Sequence, residues 1–273
     1  GRAGPAARRP RPRARARLSA GAVPRDAGTV SAGVAAPGAA GGAATSGAGT
    51  ARVTRIAGVR DVAREQGAVA ALVALAAVLP VAVLPGECVL LPDDVAPPPG
   101  SVLLGEVVTD AGPLRAWRAA AAGPVDDRRG RAADAAWRVG VAWARTGLCE
   151  RLADRAVDRL RGRSIGGTAT VNLPPALLAL AAAARAHLEA QALLARVTAE
   201  PGEQADDGPV PATTLARVTA VLDRTSRAVH NLFGASGFVD GDAARLARTI
   251  DLLGHASGTL PTGVTRGGEG QDA

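Results

Sequence analysis

Residues 230–238 read HNLFGASGF, and how this stretch divides two helical patterns decides the fold of the second half of the chain. Before it, Leu215, Val218, Leu222 and Val229 recur at helical spacing over about 213–233. After it, DGDAARLARTIDLLGH restarts the same period, with Leu246, Ile250 and Leu253 on one face of a helix over 242–253 and aspartates suited to cap it. Gly234 and Gly237 stand three apart at the break. Glycines at such a place let backbone amides face outward beside a helix N-terminus, which suits an anion. The same residues also make an ordinary Gly-rich turn with Phe233 and Phe238 plugging the core, and the stretch alone leaves both open.

Working outward, two more helical patterns precede this pair. One runs over about 131–161 with Trp137, Val141, Leu148, Leu152 and Leu160 near one stripe. The next begins behind Pro174 and Pro175, where proline suits a first helical turn, and carries Leu177, Leu178, Leu180, Leu188, Leu193, Leu194 and Val197. An acidic, Pro- and Gly-rich loop, AEPGEQADDGPVPA, follows it. Four amphipathic helices of this length over 113–260 predict a helical bundle, and a chain that is mainly α.

Residues 51–112 differ in texture. ARVTRIAGVRDVA alternates apolar and polar residues as a half-buried strand or hairpin does, and ECVLLPDDV and SVLLGEVVTD look like short strands bounded by turns. Between them GAVAALVALAAVLPVAVLPG, 67–86, is uncharged over nearly the length of a membrane span. Its alanines contribute little to insertion and Pro80 and Pro85 interrupt it, so buried strands over 70–110, forming a reduced β domain, are preferred to a spanning helix. Residues 1–50 hold hardly a large apolar side chain and are expected to lack order, as is the tail 261–273. With no initiating Met, the chain is expected to be a fragment or to have a mis-set start.

The net charge of +7 does not predict nucleic-acid binding. Seven of the 32 basic residues lie in the first 17, leaving 25 to face 25 acidic ones in the rest of the chain. A proline-broken Arg tail can hold RNA or acidic lipid through counterion release, but solvated disorder explains it as well. Cys88 and Cys149 stand far apart outside any CxxC, and His187, His230 and His255 are scattered singly, so no metal-ligand spacing exists. Two unpaired small thiols suit a reducing cytoplasm.

A second glycine site follows the first helix of the bundle: RLRGRSIGGTATVNLPP, with Arg161 and Arg163 beside Gly166 and Gly167. An Arg fork suits phosphate, and adjacent glycines let a phosphate reach the backbone. Equally, arginines at a helix C-terminus answer its dipole and glycine ends it. Taken together, the two sites resemble the C-terminal helical domain of the acyl-CoA dehydrogenases. Trp137-Arg138, Ala142 and Gly147 keep the intervals of that family's first helix. Arg163-Ser164-Ile165-Gly166-Gly167 and Pro174 resemble its Arg-x-x-Phe-Gly loop, with Gly166 where Phe is usual. Asn231 to Phe238 is similar to its Gln-x-x-Gly-Gly-x-Gly-aromatic segment, and Arg245-Leu246-Ala247-Arg248-Thr249 to its Arg-Leu-Tyr-Arg-Asp. ARVTRIAGVRDVA looks like the strand entering its middle β domain. The resemblance covers about 51–260.

It implies FAD, with Arg163 near the pyrophosphate of a neighbouring subunit's flavin and Gly167, Asn231, Gly234, Gly237 and Thr259 along the dinucleotide. It also implies an oligomer, an acyl-CoA or related thioester substrate and a place in fatty acid metabolism. The departures are as informative. The family's catalytic Glu falls at Ser257, nine residues after Arg248, and the alternative position before the Arg of the first helix holds Trp137. Neither can remove an α-proton. Asp251 and His255, near Ser257, are expected to face solvent. The family's N-terminal helical domain also has no counterpart in 1–50. The expectation is therefore an acyl-CoA dehydrogenase-like flavoprotein that is truncated or non-catalytic and paired with a base-bearing homologue. The alternatives are a flavin-dependent oxygenase-type enzyme, or a helical scaffold or membrane-attached protein without a cofactor.

Overall fold

The computed structural model describes residues 43–120, 128–199, 212–237, 239 and 241–256, and these fall in one compact unit. It opens on two helices, α1 (Ala43–Gln66) and α2 (Ala68–Ala76). The strand expected over 51–63 is therefore helix, and helix also extends into the segment expected to lack order, as far back as Ala43. The reason lies in the spacing of buried residues. Ile56, Val59 and Ala63 are buried at intervals of three and four, one face of a helix, and the charged residues Arg52, Arg55, Arg60 and Asp61 around them imitate strand alternation. The resemblance of this stretch to a family strand is overturned with it.

The uncharged run 67–86 is neither strand nor span. Its first part is the nine-residue α2, about 14 Å long at 1.5 Å per residue and less than half a bilayer's hydrocarbon depth. The helix stops ahead of Pro80, whose ring disfavours helical backbone in the residue before it. Three strands follow: β1 (Cys88–Leu91), β2 (Val102–Thr109) and β3 (Gly112–Arg118), in the order β1-β3-β2, all antiparallel. Leu90 pairs with Ala116 and Val107 with Leu114. β1 and β2 stand where strands are expected; β3 is formed by GPLRAWR, which carried no strand assignment.

The second half holds the four expected helices, α3 (Arg128–Arg161), α4 (Pro174–Ala199), α5 (Ala212–Asn231) and α6 (Asp242–Ala256). α3 is the axis, packing on α1, α2, α4, α5 and α6. It is buried without interruption from Val139 to Glu150. Two small residues permit this. A side chain at Gly140 would run into Leu75, and one at Gly147 into the Arg60 carbonyl. At the tip of the sheet, the wholly buried carboxylate of Asp110 accepts from Arg155 (2.9 Å) and Arg151 (3.3 Å). Arg151 donates as well to the carbonyls of Arg64 (3.0 Å) and Glu65 (2.8 Å), so one guanidinium satisfies the end of α1 and fastens the hairpin to α3.

α4 departs from its expected stripe. Leu177, Leu178 and Leu188 are exposed at 50, 71 and 65%, while Ala176, Ala183, His187, Ala190 and Leu194 form the buried face. Alanines rather than leucines let α4 lie close against the bundle.

Candidate functional site

The α3–α4 connection is a short hairpin in which β4 (Ser164–Ile165) and β5 (Thr168–Ala169) pair around Gly166 and Gly167. Both turn residues have positive φ, 57° and 83°, the requirement of a two-residue type I′ turn, which glycine meets without steric cost. The hairpin closes on its own backbone: the amide and hydroxyl of Thr170 both donate to the Arg163 carbonyl, at 2.8 and 3.1 Å. This leaves the Arg163 side chain on the surface, exposed beside a bare glycine turn.

The second glycine site joins α5 to α6. α5 ends in tight turns, Leu232 N–H to Val229 carbonyl (3.0 Å) and Phe233 N–H to His230 carbonyl (3.1 Å), and the chain reverses at Gly234 with φ 61°. A 3-10 turn over Gly234–Gly237 follows. Nε2 of His230 donates to the Gly237 carbonyl at 2.7 Å, which fixes the proton on that nitrogen and pins the turn to α5. Phe233 is buried, filling the core as the plain-turn reading requires.

Both loops lie at one end of the bundle. α3 and α6 run antiparallel, with Arg155 donating to the Asp242 carbonyl (3.2 Å) and Arg145 to that of Ile250 (3.0 Å). The end of α3 and the start of α6 are therefore neighbours. The glycines there differ in what surrounds them. Gly166, Gly167 and Gly234 have open space where a Cβ would stand, so a ligand can reach their backbone. At Gly237 that space is filled by Phe233 and His230, and its smallness serves the packing of the turn. α6 begins with Asp242, so its own N-terminus already carries a negative charge. A phosphate fits the exposed Arg163 guanidinium and the bare turn beside it better than it fits the α6 terminus.

At the opposite end of α3, Trp137 is buried (3% exposed) at the position where the resemblance allows a catalytic carboxylate. Arg138 beside it is bound by two acids, Asp134 (2.6 Å) and Glu87. Burial pushes both carboxyls above their usual range, partly offset by Arg138 itself. Neither acid was singled out in the sequence. Asp134 lies four residues before Arg138, a spacing that pairs charges on a helix, whereas Glu87 arrives from the loop before β1 and has no local signal.

A cleft of about 380 Å³ between α1, α3 and α4 was also illegible in the sequence. Its floor is Glu150, held by Arg60 (3.0 Å) and Gln191 (2.7 Å). Arg64 pairs with Asp154 at its mouth (2.8 Å). His187 is buried in its wall, with Nε2 making no hydrogen bond. Burial, then Arg60 and Arg64, push this histidine down to about 4, so it is neutral at pH 7. A second hollow of about 420 Å³ lies between β2 and α6, lined by Glu106, Val108, Arg245 and Arg248 among others.

The structure thus places Arg163, Gly167, Asn231, Gly234 and Gly237 at one end of the bundle, in two loops, with Asn231 exposed at the end of α5. Ser257, Thr259 and Phe238 lie outside the described residues, as do 1–42 and 257–273. Asp251 is half-buried, while His255 is exposed and its Nδ1 lies 2.7 Å from the Asp251 carbonyl. Cys149 is buried and its thiol is pushed up to about 12, mainly by burial, so it packs and does not react. Among the described residues no group of three His, Cys, Asp or Glu could hold a metal ion.

No protein-family model matches the chain, and no curated protein sequence matches it. Among solved structures it is similar to a butyryl-CoA dehydrogenase from Megasphaera elsdenii, at 16% identity and a TM-score of 0.45 over 61% of this chain and 46% of that one. It is similar to a glutaryl-CoA dehydrogenase from Mycobacterium smegmatis in complex with FADH2, at 12% identity and a TM-score of 0.46 over 62% and 47%. A third is an electron transferring flavoprotein structure from Acidaminococcus fermentans, at 15% identity and a TM-score of 0.46 over 61% and 52%. The chain spans about half the length of each.

Proposed function

We propose that this chain is a flavin-binding subunit of the acyl-CoA dehydrogenase type that has no catalytic base of its own and works beside a base-bearing homologue on an acyl thioester. One observation carries the reading: Arg163 stands exposed next to the open Gly166–Gly167 turn, at the same end of the bundle as the Gly234 turn. A diphosphate bridging the two loops would receive the Arg163 fork and backbone N–H groups, the donor set that suits it. Asn231 would orient the dinucleotide from the end of α5, and Thr259 would follow from beyond α6.

Dehydrogenation of an acyl thioester needs a carboxylate to take the α-proton as the β-hydrogen leaves with its electron pair, and a bound FAD supplies the acceptor of that hydride. The carboxylate is what this chain does not offer at the matched positions. Trp137 is buried apolar mass, and a serine hydroxyl, the group Ser257 offers, is not itself a base near neutral pH. Glu87 and Asp134 are occupied by Arg138. An exposed phosphate-binding loop facing away from its own core suits a site completed by a neighbouring subunit. The test is flavin content after co-purification with the base-bearing homologue. The complex retains FAD, and Arg163→Ala weakens retention roughly 10- to 100-fold, the worth of a charge-assisted hydrogen-bond pair. A colourless complex, or retention indifferent to Arg163, contradicts the reading.

A further inference from the structure

The cleft between α1, α3 and α4 lies apart from both glycine loops and from the Trp137 end of the bundle. Glu150, its floor, stands thirteen residues along α3 from Trp137 and eleven from the helix's end at Arg161. About 16 Å of helix or more therefore separates it from either place. Residues three and four apart share a helix face, which brings Arg60 and Arg64 from α1, Glu150 and Asp154 from α3, and Ala184 and His187 from α4 around one space. Ala153 and Ala184 contribute only a methyl group each, so that space stays open.

Every charge that lines the cleft is paired within it. Nε of Arg60 donates to both oxygens of Glu150 (3.1 Å each), and Arg64 gives two hydrogen bonds to Asp154 (2.8 and 3.1 Å). Two cations answer two anions, so a charged ligand would have to break a pair or stay unpaired in a half-buried site. His187 differs from its neighbours: it is 5% exposed and its Nε2 has no hydrogen-bond partner. A neutral imidazole holds either a proton or a lone pair at that nitrogen. A hydroxyl is donor and acceptor in one group and satisfies both forms, whereas a carbonyl or ether oxygen satisfies only the first. Val157, Leu180 and Leu188 supply an apolar wall, and a volume of about 380 Å³ belongs at the small end of ligand sites. We propose that this cleft binds a small neutral alcohol, with its hydroxyl on Nε2 of His187 and its hydrocarbon body along Val157, Leu180 and Leu188.

The inference is independent of flavin binding, and a colourless chain that takes up an alcohol upholds it alone. The chain has three histidines, so the imidazole nitrogens can be followed one by one by nitrogen-15 NMR of the full-length protein. The probes are hexanol, hexanoate and hexylammonium, which share a hydrocarbon body and differ in charge. Hexanol is expected to shift the Nε2 resonance of His187 saturably while those of His230 and His255 stay in place. Hexanoate and hexylammonium are expected to bind at least about tenfold more weakly, as the cost of an unpaired charge requires. Ala184→Phe, a change at an exposed position on the cleft, abolishes the hexanol shift by filling the space, with circular dichroism showing that the fold is kept. His187→Leu weakens hexanol binding roughly three- to tenfold, the worth of one hydrogen bond, measured by calorimetry. A His187 resonance that hexanol leaves unmoved up to its solubility overturns the proposal. So does binding of either charged probe as tight as that of hexanol, or a hexanol shift that survives in folded Ala184→Phe.

Discussion

Gly147 and His187 show how single residues hold the site's scaffold. A methyl group at Gly147 would strike the Arg60 carbonyl and the Ala63 side chain, on a backbone that neither helix can yield alone. Gly147→Ala is expected to cost about 2–3 kcal/mol, the range of overpacking in a dense core, seen as a lower urea midpoint at unchanged slope. His187 is neutral in the fold and titrates at about 4 against its ordinary 6.5. Below pH 6.5 the unfolded chain takes up a proton that the folded one refuses, so stability is lost as pH falls from 6.5 toward 4. The loss reaches at most about 3 kcal/mol and levels off below 4. Glu87 and Asp134, whose folded carboxyls are raised, act in the opposite sense, since their cost at neutral pH is relieved on protonation. The difference between wild type and His187→Leu over this range isolates the histidine. The role of Gly147 was not readable, because the approach of α1 that requires a glycine there is a tertiary contact. Nor was that of His187, because the leucines around it drew the expected stripe to the wrong face.

At the scale of elements, buried charge ties α3, α5 and α6 together. Arg145 is 1% exposed, donates to Asp223 on α5 (2.6 Å) and to the Ile250 carbonyl on α6 (3.0 Å), and has Gly254 pressed against its guanidinium. Asp223→Ala leaves that cation buried without a counter-charge and is expected to cost about 3 kcal/mol, measured by thermal or urea unfolding. Arg145→Met with Asp223→Ala is expected to recover much of the loss, since an apolar replacement of a buried pair is close to neutral. All four bundle helices were legible from their periods and from Pro174 and Asp242 at their starts. α1 was not: the polar residues scattered through ARVTRIAGVRDVA let it fit either period, and packing on Gly147 decides for helix. The Gly166–Gly167 hairpin carried the signal of a two-residue turn, Ile-Gly-Gly-Thr, which a reading of these glycines as a phosphate loop passed over.

For the whole molecule, the described residues form a helical bundle with a small sheet docked on it, and the site is a pair of loops at one end rather than a closed pocket. Under the proposed function, a ligand held there would be shared between chains. The helical periods on either side of Gly234 and Gly237 made the turn at this end legible. Which faces of α4 stay uncovered was not legible, because the exposure of Leu178 and Leu188 appears only in three dimensions. The central claim separates flavin binding from proton removal. Its most direct test is anaerobic addition of acyl-CoA to the FAD-loaded chain, first alone and then with its base-bearing homologue, while the flavin's visible absorbance is followed. The account predicts that the chain alone keeps its flavin oxidised and that the complex bleaches. Bleaching by the chain alone at the rate of the complex would show a working base within it and contradict the account.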